Sequence, residues 1–259
     1  GNMGVAFAAI LTGALIDNAG WRAAFFVPGA AALATALGYA LFWARNGEGV
    51  RSKTTVSSNP EPARLSLDRR TLFRVFAIIA LTTTLGSLIF QAITVSLPKV
   101  LEERLVNFAD SATEIGAWAF VVLAVASLAQ ILIGHLVDRY SIKWVFAVVA
   151  VLQVPACAAF IEITGVPVLV MSLVFMLLVF GQIPINDALL SRITTSEYRS
   201  RIYGVKFVLS FAVSAAAVPL VAILHQTTGF DGLFMVMAAT AAVIAAAVIA
   251  LPRMRTVVA

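Results

Sequence analysis

Of 259 residues, 61% are hydrophobic and only 12% charged, for a net charge of +5, and the mean hydropathy is +0.98. A water-soluble domain carries about 25% charged residues, so the composition excludes a soluble globule with one anchor and specifies an all-α fold, a polytopic bundle of membrane-spanning helices. The single Cys157 excludes an internal disulfide.

Eight apolar segments follow one another along the chain, at roughly 1–16, 22–44, 72–98, 113–137, 142–162, 166–190, 202–225 and 231–251. A spanning helix needs about 20 mostly apolar residues. The last seven qualify; the first is short and reads as the end of a helix that starts before Gly1. No basic region precedes it, so it is not a cleavable leader. The stretch 46–70 is rich in Ser, Thr, Pro, Arg and Glu without an apolar period, which predicts a linker between two helices and six.

Fifteen of the 18 Lys and Arg residues fall in 45–74, 138–143, 191–206 and 252–259, and only Arg22, Lys99 and Arg104 fall in the opposite loops. By the positive-inside rule the first set is cytoplasmic. The basic excess therefore sets orientation and does not imply nucleic acid.

A weak repeat links the two ends. Gly20-Trp21 is followed by Phe25, and Gly229-Phe230 by Phe234, an offset of 209 residues. Each set opens the second helix of an outer hairpin, which suggests two parallel six-helix repeats, an architecture of transporters.

Three motifs carry a family resemblance that covers the whole chain. Gly134-His135-Leu136-Val137-Asp138-Arg139-Tyr140 is a short charged turn between two long apolar runs. Gly20-Trp21-Arg22-Ala23-Ala24-Phe25-Phe26 opens an apolar segment. Ser196-Glu197-Tyr198-Arg199-Ser200-Arg201 sets an acidic residue before spaced arginines. Their order and spacing resemble the major facilitator superfamily from its fifth helix to its twelfth. The resemblance implies the last two helices of an N-terminal bundle at 1–45, a cytoplasmic linker at 46–70 and a complete C-terminal six-helix bundle at 71–259. It implies a bacterial inner-membrane permease that moves a small molecule by alternating access, with protons as a candidate coupling ion and lipid around it. Residues 182–210 are similar to drug-resistance permeases, notably the fosmidomycin-resistance branch. Substrate, direction of transport and self-association stay open at this stage.

Several residues are candidates for the site. Gly134 permits close helix approach, Asp138 suits a helix N-terminus, and Arg139 can pair with a carboxylate; the resemblance makes these three a conformational latch. Asp187 is the only acidic residue well inside a span, where an unpaired charge costs several kcal/mol on most scales. Its expected partner is Lys206 or Arg192, as a gate, an ion pair or a coupling group. Pro184 frees a helix carbonyl nearby. Gln182 and Asn186 can line a polar cavity, as can Gln91 and Thr94 on the unusually polar segment 72–98. Pro155 and Pro219 are expected helix kinks, and His135 and His225 lie at span ends. No phosphate-binding Gly-Lys loop, Cys/His cluster or catalytic triad pattern occurs, so neither an enzyme nor a cofactor is expected. The alternative is a truncated, non-transporting membrane protein acting as a sensor or assembly partner.

Overall fold

The computed structural model describes residues 2–50, 69–105, 111–161, 163–194 and 196–252. All elements among the described residues are helices: α1 Asn2–Ala19, α2 Ala23–Val50, α3 Arg69–Arg104, α4 Ala112–Ser127, α5 Ala129–Arg139, α6 Ile142–Ala158, α7 Val166–Ile193 and α8 Ser196–Ile249. Among the described residues all eight predicted apolar segments are helical; five continuous helices are long and apolar enough to cross a membrane, and α1 and α6 are shorter apolar helices. Helices α4 and α5 form one apolar span, Ala112–Arg139, with a local tightening at Leu128, whose N–H donates to both Val125 and Ala126 carbonyls. Helix α8 has 54 residues. A straight helix of that length would extend about 80 Å, against a hydrocarbon core of about 30 Å. Gly229, at φ 69° and ψ −167°, breaks it into two antiparallel arms.

Three glycines at hairpin turns take positive φ: Gly20, Gly165 and Gly229. The Gly20 and Gly229 turns are the two halves of the sequence repeat. A side chain in this backbone region is strained, so glycine is what lets each helix pair reverse in so few residues.

Boundaries differ from the sequence reading. Helix α3 runs on to Arg104, so that Lys99 and Arg104, expected in an outer loop, lie in its last turns. Helix α2 continues to Val50, into the expected linker, whose residues 51–68 lie outside the described part. Residues 196–201, matched to a loop, form the first turns of α8. In each, polar residues prolong a helix past its apolar stretch.

Helix α3 packs on α7 and α8, and α6 on α7 and α8; α1 packs on α4, whereas α2 touches α1. The core is apolar, with Phe160 stacked on Phe234 at 4.3 Å and edge-on to Phe175 at 5.9 Å. The α1–α4 contact has a different chemistry. A Cβ on Gly13 would collide with the Ala112 carbonyl oxygen, and one on Gly116 would stand 2.6 Å from the Ala9 carbonyl oxygen. The two helices thus meet through reciprocal small-residue pairs four apart, which brings backbones into van der Waals contact. Asp17 on α1 closes the end of this interface by accepting the Thr113 amide at 2.6 Å and the Thr113 hydroxyl.

Helix ends are closed by basic side chains from neighbours. At the basic-loop end Arg74 donates to the Ala250 carbonyl at 3.1 Å, Lys143 to the Leu251 carbonyl, and Arg192 to the Val137 carbonyl at 3.2 Å. At the opposite end Arg104 donates to the Phe160 carbonyl and to Asp231 at 2.6 Å. Terminal carbonyls have no intrahelical donor and carry the negative end of the helix dipole, so cations satisfy both needs.

Candidate functional site

Three helices bring polar side chains to one place by steps of four residues, which keep side chains on one helical face. Thr83, Ser87 and Gln91 do so on α3, Gln182 and Asn186 on α7, and Lys206, Ser210 and Ser214 on α8. Together they line a cavity of ≈ 270 Å³, walled on its apolar side by Phe90, Phe207 and Phe211. Helix α7 runs unbroken through Pro184, so the proline leaves this face intact.

Gln182 is 3% exposed, and its amide nitrogen has no hydrogen-bond partner. It presses against α3 where a Cβ on Gly86 would lie 3.0 Å from that nitrogen. An unpaired buried donor costs about 1–3 kcal/mol and in a native protein asks for an explanation. Beside it the Thr82 hydroxyl donates to the Asn186 side-chain oxygen at 3.2 Å, tying α3 to α7.

Lys206 binds the Asp187 carboxylate. Its ammonium lies 5.6 Å from both the Tyr203 and Phe207 ring centres, and the Tyr203 hydroxyl donates to the Asp187 carbonyl at 3.2 Å. Lys206 lines the cavity and Asp187 does not, so the cation stands between the acid and the polar chamber.

Gln91, Gln182, Asn186 and Lys206 therefore converge, and Asp187 joins them through Lys206. Thr94 and Arg192 do not. Thr94 opens on a separate groove with Gly13, Lys99 and Gly116, between α1, α3 and α4. Arg192 is taken by the Val137 carbonyl. Among the latch residues, Gly134 has no close neighbour; the tight glycine is Gly181 on α7, whose added Cβ would meet Ile133 at 2.9 Å. Asp138 and Arg139 are exposed in the last turn of α5, and the turn itself is only Tyr140 and Ser141. Ser210, Ser214 and the phenylalanine wall were not singled out from sequence, although the spacing Lys206-Ser210-Ser214 carries the signal.

Among the described residues no three His, Cys, Asp or Glu side chains come together to hold a metal ion. The chamber offers amides, hydroxyls and one paired ammonium in an aromatic wall, which is equipment for binding a polar solute reversibly. No curated protein matches the chain. The family model described as Major Facilitator Superfamily matches residues 1–109 and 104–258. Members of that family are transporters of small molecules, and the multi-pass helical bundle agrees with it: the chain belongs to the major facilitator superfamily.

Proposed function

We propose that the protein is a secondary active permease that moves a small solute across a bacterial inner membrane by alternating access. In this reading the six spans of α3 to α8 form one six-helix bundle, while α1 and α2 close the other. The basic-loop end and the linker face the cytoplasm. The observation that carries the reading is the convergence of Gln91, Gln182 and Asn186 with Lys206 on one cavity. Binding polar groups at a helix junction within the bilayer is how transporters of repeated-bundle design hold their cargo. The Lys206–Asp187 pair is the gate beside it, since a solute entering the chamber meets the cation first. The last turns of α5, with Gly134, Asp138 and Arg139, act as the latch at the same end.

The similarity of 182–210 to drug-resistance permeases directs the test. Expression in a fosmidomycin-sensitive bacterium should raise tolerance to the drug, and proteoliposomes should move it, or another solute from a panel of labelled small anions and neutral compounds. The double variant Gln182→Ala/Asn186→Ala should lose that movement while still inserting and folding. Wild-type rates in the double variant would remove the cavity from the solute path.

A further inference from the structure

Beside the polar chamber lies a second compartment of ≈ 420 Å³ between α3, α7 and α8. Its walls are nearly all apolar, built from side chains such as Phe76, Ile79, Leu190 and Ile202, and among the described residues its charged lining residues are the cations Arg201 and Lys206. The two compartments adjoin, with Thr83 and Lys206 in the lining of both. Thr83 is 7% exposed, and its hydroxyl oxygen has no hydrogen-bond partner. An apolar groove, two cations and an orphaned hydroxyl at the junction are the complement of one kind of molecule.

We infer that the site takes an amphipathic organic anion, with a single apolar chain in the α3–α8 groove and an anionic or strongly accepting head at the Thr83–Lys206 junction. The inference deepens the transporter reading and rests on it. Two facts select this occupant over an inner-leaflet phospholipid. The groove adjoins a chamber of amides and hydroxyls, which an acyl chain would avoid, and its volume falls in the range of single small-ligand pockets. Lys206 is already matched by Asp187, so Arg201, which lies over the Tyr198 ring at 6.0 Å, supplies the excess positive charge that an anion requires.

The probe is tritiated decanoate, bound to the protein in phosphatidylcholine nanodiscs, with empty nanodiscs as background. Saturable binding is expected, roughly a thousandfold or more tighter than butyrate because six methylenes gain burial, and clearly tighter than decanol, which lacks the charge. Ala80 lines the groove and is exposed, so Ala80→Trp fills it without disturbing the core and should weaken decanoate at least about tenfold. Arg201→Gln should weaken decanoate and leave decanol unchanged. Equal binding of decanoate to Ala80→Trp, or of butyrate and decanoate to the wild type, overturns the inference. Displacement of decanoate by phosphatidylglycerol added to the nanodiscs assigns the groove to lipid and also overturns it. Translocation of other small solutes without decanoate binding defeats this inference alone. Decanoate binding with no solute moved in proteoliposomes supports the site and defeats the transporter reading alone.

Discussion

Lys206 and Asp187 form an ion pair in which the cation is the buried partner: the Lys206 side chain is 15% exposed and that of Asp187 is 44% exposed. The asymmetry decides which substitution is worse. Asp187→Asn strands an ammonium in an apolar surround of Tyr203 and Phe207, whereas Lys206→Met leaves a carboxylate that can turn outward. An exposed pair is worth under about 1 kcal/mol, while stranding a buried charge costs about 3–5 kcal/mol. Asp187→Asn should therefore cost about 1–3 kcal/mol, Lys206→Met less, and the double variant should recover much of the loss. Thermal unfolding in detergent measures all three. Because the pair is a gate in this reading and not a proton carrier, Asp187→Asn should slow transport and leave its dependence on external pH unchanged.

Gly86 and Gln182 set the shape of the polar chamber. The contact of 3.0 Å between an added Cβ and the Gln182 nitrogen is tight, but the atom met is the end of a flexible side chain. Gly86→Ala should push that amide toward the cavity by a few tenths of an ångström and change stability by less than about 1 kcal/mol. It should raise the KM of transport with little change in maximal rate, whereas Gly86→Leu, too large for the notch, should abolish transport. Steady-state uptake in proteoliposomes separates the two.

The reciprocal glycines of α1 and α4 make a prediction about the join between the proposed bundles. Gly13→Leu or Gly116→Leu drives a side chain into the facing backbone, at Ala112 and Ala9 respectively. Each should separate α1 from α4. Overpacking of this kind costs about 1–3 kcal/mol or more. A cysteine pair placed at Ala9 and Ala112, in a Cys157→Ala background that removes the native thiol, should cross-link with a short reagent and fail to do so when either leucine substitution is added.

Much of this was legible in the sequence where one residue class or one run length decides the outcome. The apolar runs mark where the apolar helices lie, and the Gly20 and Gly229 repeat marks two turns that do adopt positive φ. What stayed hidden depends on which helix faces which. Arg192 follows Asp187 by five residues on one helix, a rotation of about 140°, so it points away and closes α5 instead. Thr94 lies one turn past Gln91 and faces α1. Small residues four apart recur throughout such an alanine-rich chain, so only the packed structure singles out Ala9-Gly13 against Ala112-Gly116. The orientation rule accounts for the basic loops in bulk, yet it is silent on Arg74, Lys143 and Arg192, whose side chains each close a particular helix end.

Arg104 makes the same device testable at the opposite end of the bundle. Its side chain is buried, and it reaches three groups at once: the Phe160 carbonyl after α6, and on the second arm of α8 the Asp231 carboxylate and the Phe234 ring, the latter at 5.5 Å. Its own carbonyl accepts the Gly165 amide at 2.8 Å, just before α7. Removing the guanidinium takes the donor from a helix-end carbonyl and one partner from the carboxylate, so Arg104→Ala should cost about 2–4 kcal/mol. Arg104→Lys should restore little of that, because one ammonium cannot reproduce the guanidinium fork that spans a carbonyl and a carboxylate. Asp231→Asn, which keeps an acceptor and leaves the carbonyl bonds in place, should cost clearly less than Arg104→Ala. Thermal unfolding of the three variants orders them, and an Arg104→Lys protein as stable as the parent would show that charge alone, without the fork, holds this end together.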